Sequence, residues 1–190
     1  MRDIVEIRWH GRGGQGAVTA AKILAEAALL SGKFVQAFPE FGPERAGAPV
    51  KSFTRISARP INTHTQILSP DAVVVLDPTL IEMVNVCDGL SAAGALILNT
   101  DKTPQEMKKR LGAAAGRIAT VDATDISIKA FKRNIPNTPM IAALVKVTGI
   151  MKLEEVIDGF KKQSSGKFSP EVVEANVRAM KSAYEAVKIA

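Results

Sequence analysis

Residues 4–30 read as a strand, a glycine-rich turn and a helix in unbroken succession, and nothing else in the chain restricts the fold as tightly. Ile4-Val5-Glu6-Ile7-Arg8-Trp9 is an apolar alternating run, and Ala17 to Leu30 carries small and apolar residues at helical spacing. Between them lies His10-Gly11-Arg12-Gly13-Gly14-Gln15-Gly16. Gly11, Gly13 and Gly16 satisfy G-x-G-x-x-G: the first glycine allows the tight turn, the second lets an anionic ligand approach the backbone, and the third allows close helix packing. Amides at the start of such a helix are free to hold a phosphate. A glycine-rich turn also forms where the backbone merely bends sharply, so the motif alone leaves a phosphate role and a structural turn evenly open. Arg8, His10 and Arg12 surround the turn and add positive potential, which favours an anion. His10 equally fits a hydrogen-bonded strand end.

Lys33 to Phe38 and Val50 to Ser57 read as strands, the latter with Lys51 and Arg55 on one face. Between them, the segment Pro39 to Pro49 holds three prolines and two glycines and cannot be a helix; its mixture of Glu40, Phe41, Glu44 and Arg45 points to an ordered functional loop. Asp71 to Asp77 is a nearly continuous apolar run, as expected for a strand buried on both sheet faces. Pro78 ends it, and a weak helix covers Leu80 to Val86. Gly94 to Asn99 and Ile118 to Asp122 are further strands. Thr103-Pro104-Gln105-Glu106 is a capping-box start for a helix to Leu111, and Asp125 can cap a helix up to Arg133.

From Ile135 the pattern turns helical. Thr138 and Pro139 are placed to cap and open a helix from Met140 to Val147, and the stiffness of Pro136-Asn137-Thr138-Pro139 suits an interface or ligand contact. Helices follow from Leu153 to Lys162 and from Ser169 to Lys188. Strands alternating with helices imply an α/β fold: a single Rossmann-like, doubly wound, largely parallel sheet with a C-terminal helical extension. At 190 residues and 46% apolar, the chain suits one domain over 1–190, with the helical additions beginning at about 135.

Composition removes several function classes. The net charge of +6 is densest at Lys108-Lys109-Arg110, Lys129, Lys132-Arg133 and Lys161-Lys162, all within helical patterns, and aromatics are only 5% of the chain. Solvated helix faces account for this, and nucleic acid is not the expected partner. A phosphorylated small molecule or an acidic protein fits the excess. The sole cysteine, Cys87, makes no intrachain disulfide and cannot hold an iron–sulfur cluster; it reads as a buried small hydrophobe. His10 and His64 lack metal-ligand spacing, so no metal is expected. No apolar run reaches membrane length and no leader is recognisable, which leads us to expect a soluble cytoplasmic protein with no membrane contact.

Ligands of open parallel sheets bind beyond the carboxyl ends of the strands, near the point where strand order reverses. The glycine turn and the Glu40 to Pro49 loop leave two such ends. Asp77 leaves a third, and either joins that site or caps the amides of Thr79 and Leu80; capping is the preferred reading. A dinucleotide enzyme places an acid at the end of the second strand for a ribose hydroxyl, and Glu40 is the available candidate, poorly placed after Pro39. No nucleophile elbow, zinc-protease helix or Walker loop is present, so chemistry by this chain alone is not expected.

Ile7 to Gly16, Phe38 to Arg45, Gly47-Ala48-Pro49-Val50 and Ile135 to Met140 together resemble one family, the gamma subunits of pyruvate:ferredoxin oxidoreductase, or pyruvate synthase. The resemblance spans essentially the whole chain. Ala46 departs from it, since the broader family often has a bulkier or basic residue there. It implies a multisubunit enzyme that oxidatively decarboxylates a 2-oxoacid, passes electrons to ferredoxin and transfers the acyl group to coenzyme A. Thiamine diphosphate, Mg and iron–sulfur clusters would then reside in partner subunits, none in this chain. By the same resemblance, Gly13, Gly14, Gln15 and Gly16 form a turn facing the coenzyme A side, with Glu44 and Arg45 in the loop beside it; Gly11 and Arg12 of the same motif complete the candidate binding residues. Three alternatives stay open: a gamma subunit for 2-oxoisovalerate or another 2-oxoacid, a stand-alone dinucleotide-binding module, and a pure assembly scaffold.

Overall fold

A computed structural model describes residues 4–40, 47–112 and 116–190. The strand, turn and helix of the N-terminus form as the sequence predicts: β1 spans Ile4–Arg12 and α1 spans Ala17–Leu30. β2 (Phe34–Pro39), β3 (Pro49–Ser57), β4 (Ala72–Val75), β5 (Ala95–Asn99), α2 (Pro104–Leu111) and β6 (Arg117–Val121) follow. The chain then runs through α3 (Ala123–Phe131), α4 (Asn137–Thr148), α5 (Leu153–Ser164), α6 (Pro170–Ala186) and β7 (Lys188–Ile189).

The strands of the described residues form one sheet in the order β2-β3-β1-β4-β5-β6-β7. β1, β4, β5 and β6 pair in parallel. β3 is antiparallel to both β1 and β2, so β2 again points the same way as β1. β7 runs antiparallel along β6. Five of the seven strands therefore share a direction, as a doubly wound sheet requires, and the two reversed strands lie outside its parallel centre.

Side-chain alternation splits the core into two layers. Ile7, Trp9, Ile56, Val74, Ile97 and Ala119 face α1, α4, α5 and α6, while Val73, Val75, Leu96, Leu98 and Ile118 face Leu80, Leu90 and Met107 on the opposite side. α4 is buried around nearly its whole circumference, the signature of a central rather than a peripheral helix. α1 packs directly on β3: its buried face is largely alanine, and Ser52 and Thr54 donate to the carbonyls of Ala17 and Ala21. Trp9 Nε1 donates to the same Thr54 hydroxyl at 3.0 Å, tying β1 into the arrangement.

Four element readings are corrected. Asp122, not Asp125, caps α3, because its carboxylate accepts from the Asp125 amide three residues on. α4 begins at Asn137 after Pro136 with no side-chain cap; the Thr138 hydroxyl instead donates to Asn176 on α6. The weak helix is a single 3-10 turn, Pro78–Glu82. The last helix stops at Ala186, and the following residues add the edge strand β7.

Candidate functional site

The glycine turn stands where the sheet reverses its winding. From β1 the chain passes to β2 and β3 on one side, then returns across β1 to β4 on the other, so the carboxyl ends of β1 and β4 border the crevice at the switch point. Gly14 (φ 96°) and Gly16 (φ 86°) take left-handed backbone that side chains rarely adopt. Gly16 also meets α4: a Cβ there would lie 2.9 Å from Asn137 Nδ2. This is the close helix packing expected of the third motif glycine, and it brings the start of α4 against the start of α1. Gly13 N donates to Ala48 O, which seats the turn against the residues entering β3.

Two side chains of the turn fold inward onto one carboxylate. Gln15 Nε2 donates to Asp77 Oδ2 at 2.5 Å and Arg12 Nε to the same oxygen at 3.1 Å. Gln15 Oε1 accepts from the Arg12 amide at 2.7 Å, closing the turn on itself. The rest of the Arg12 guanidinium donates to Gly47 O, Thr79 Oγ1 and Met83 Sδ. Asp77 does cap, accepting from Thr79 N at 2.9 Å, so the preferred reading holds; the structure adds that it also joins the turn. Burial pushes its carboxyl up, but the bonds from Thr79 and Gln15 and the charge of Arg12 outweigh that and hold it below its ordinary value.

Arg8 and His10 do not supply the positive potential expected of them. Both are buried on the sheet face away from α1. Arg8 donates to His10 Nε2 and to the carbonyls of Val86 and Asp88. Burial, then the neighbouring charges of Arg8 and Lys51, lowers the His10 pKa to about 3, so the imidazole is neutral. The alternative of a hydrogen-bonded strand residue is what is found. Beside it, burial raises the Cys87 thiol, against a smaller opposing pull from Arg8, in keeping with a structural cysteine.

Glu40 is accounted for by β3 and the segment beyond it. It pairs with Lys51 at 3.2 Å and accepts from Gln66 Nε2. With β3 inserted between β1 and β2, an acid at the end of β2 stands two strand spacings, about 10 Å, from β1. That arrangement disfavours a ribose contact. Glu44 and Arg45 lie outside the described residues. Among those described, no group of three or more His, Cys, Asp or Glu side chains gathers as a metal site, and no helix is long and apolar enough to cross a membrane.

Pro136 to Pro139 is buried, and its Asn137 and Thr138 line a cleft of about 550 Å³ with Thr19, Phe131, Phe160 and Phe168. Asp77 performs both of the roles that the sequence offered as alternatives, and Asn137, within the segment singled out for a contact, meets Gly16; what the sequence did not indicate is that Gln15 and Arg12 are the partners of Asp77. The position of Asp77 at a strand end beside the switch point was the available signal.

The chain resembles proteins of known kind over almost its full length. The family model for pyruvate ferredoxin/flavodoxin oxidoreductase matches residues 6–186. Pyruvate synthase subunit PorC of Thermotoga maritima is 50% identical over 183 residues, covering 96% of this chain and 94% of that one. The pyruvate/ketoisovalerate oxidoreductases common subunit gamma of Pyrococcus furiosus is 49% identical, covering 98% of each. The crystal structure of the Thermotoga maritima pyruvate oxidoreductase subunit superposes with a TM-score of 0.87 at 47% identity, over 100% of this chain and 99% of that one.

Proposed function

The chain belongs to the pyruvate ferredoxin/flavodoxin oxidoreductase family, as a gamma-type subunit, and we propose that it forms the coenzyme A side of the active site in a complex acting on pyruvate. It is an enzyme subunit, not catalytic alone. The full reaction takes an electron pair from pyruvate to ferredoxin, releases the carboxylate as CO2, and joins the acetyl group to the coenzyme A sulfur with loss of the thiol proton. Thiamine diphosphate, Mg and the iron–sulfur clusters supply that chemistry from partner subunits; Cys87, the sole thiol here, fits no cluster. One gamma-type domain over 1–190, working in the cytoplasm, is part of this reading. Of the two substrates named by the relatives, pyruvate is common to both, and the Pyrococcus furiosus subunit also serves ketoisovalerate.

In this reading the amides of Gly14 and Gly16, with the first turn of α1, hold a phosphate of coenzyme A, while Gly11 and Gly13 anchor the turn to β3 and the residues entering it, and Arg12 and Gln15 brace it from within. Glu44 and Arg45 stand in the adjoining loop. The observation that supports it is the position of a positive-φ glycine turn, leading into a helix start, at the switch point of the sheet. A Cβ at Gly14 would meet nothing within 4 Å, so a side chain there can project without displacing the core. Gly14→Asp and Gly14→Asn share size and backbone strain and differ by one charge. In the reconstituted complex, Gly14→Asp is expected to raise the KM for coenzyme A about tenfold over Gly14→Asn, the equivalent of about 1.4 kcal/mol of lost phosphate attraction. Identical coenzyme A kinetics for the two would sink the proposal.

A further inference from the structure

We propose that Asp77 is a positioning residue for coenzyme A, acting through the glycine turn it holds rather than by touching the substrate. The inference rests on the reading that the turn faces coenzyme A. Its physical basis is a division of labour between the two carboxylate oxygens. Oδ1 serves the strand end, accepting from Thr79 N at 2.9 Å and from Thr79 Oγ1 at 2.6 Å. Oδ2 serves the turn, accepting from Gln15 Nε2 and Arg12 Nε. Those two donors come from the loop after β1, the carboxylate from the end of β4, and the bonds cross the crevice where ligands of such sheets bind. Asp77 is 8% exposed, so the bonds form largely away from water, where an ionised acceptor is worth most.

Among the described residues, the other polar bonds to the turn side chains from the β4 side come from the hydroxyl of Thr79, on the 3-10 turn that Asp77 itself caps, and from the sulfur of Met83, just after that turn. Arg12 is thus neutralised in place. With Nε on Asp77 and both terminal nitrogens donating to the chain, its guanidinium shapes the turn, and recognition of a phosphate falls to the backbone. A turn that must offer amides at fixed directions needs such bracing, because glycines at 14 and 16 supply no side-chain packing of their own.

Asp77→Asn separates the two roles. Its carbonyl oxygen still accepts from Thr79, but its amide presents a donor to the donors of Gln15 and Arg12, so the cap survives and the brace is lost. The assembled complex carrying Asp77→Asn is expected to show a KM for coenzyme A raised about tenfold with kcat at saturating coenzyme A within twofold of wild type. Adding Gln15→Glu returns an acceptor opposite the new amide and a carboxylate beside Arg12, and is expected to recover most of the loss. A merely structural role would lower assembly or the unfolding midpoint while leaving the KM for coenzyme A unchanged in the complexes that form; that result overturns the proposal. So does a raised KM that Gln15→Glu fails to relieve. If Gly14→Asp raises the KM and Asp77→Asn does not, Asp77 alone is wrong; if neither does, the turn does not face coenzyme A and both ideas fall.

Discussion

His10 shows how a residue beside the site can carry a measurable property with no part in the chemistry. Burial first, then Arg8 and Lys51, takes its pKa from 6.5 down to about 3. Between those values the unfolded chain binds a proton that the native state does not, so stability falls as pH drops through about 6.5 toward 3. From pH 7 to pH 5 this one group accounts for a loss of roughly 2 kcal/mol. His10→Gln keeps an acceptor for Arg8 Nε and removes the titration, so its urea midpoint is expected to change less over that interval than the wild-type midpoint. Parallel pH profiles would assign the acid sensitivity to other groups. The same neutrality bears on the site: the fixed charge facing the turn is Arg12, and Asp77 offsets it at 3.1 Å. An anion there meets dipoles rather than a bare cation, which is why the test at Gly14 compares two side chains that differ only in charge.

At the scale of elements, α1 and α5 touch through Gly159. A methyl group there would stand 2.6 Å from Ala27 Cβ and 2.7 Å from Ala27 Cα. In an exposed helix Gly→Ala gains up to about 1 kcal/mol, whereas overpacking against a backbone costs about 1–3 kcal/mol. Gly159→Ala is therefore expected to destabilise the chain by about 1 kcal/mol, seen as a lower urea midpoint at unchanged slope; an increase would show that α5 has room to move. Local signals of this kind decide what could be read from sequence. The bounds of α1 and the capping box of Thr103 and Glu106 follow from neighbours within a turn, and both form as expected. The choice between Asp122 and Asp125 as a cap turned on where β6 ends, and β7 is too short to leave a period in the sequence. The site divides the same way. Its glycines are local and legible, but Asp77 is 62 residues from Gln15, and Asn137 meets Gly16 from the far end of the chain's α/β half.

The order of the whole sheet decides between the gamma-type subunit and the dinucleotide-binding module that the G-x-G-x-x-G pattern also suggests. In a nicotinamide domain the second strand lies beside the first and parallel to it, and its terminal acid reaches the ribose of a dinucleotide whose pyrophosphate rests on the first helix. Here β3 is interposed and antiparallel, pairing with β1 from Ile4 to Arg12, and Glu40 is spent on Lys51 and Gln66. The insertion also gives β3 the Ser52 and Thr54 hydroxyls that hold the alanine-rich α1 down, so the departure is built into the packing of the site helix and is not a loose addition. A phosphate can still meet the turn, but the adenosine ribose loses its usual acceptor. Calorimetric titration of the isolated chain with NADH is accordingly expected to give no saturable heat into the millimolar range. Micromolar binding at one site per chain would mean that another acid takes the place of the missing one, and would return the stand-alone oxidoreductase to consideration despite the family to which the chain belongs.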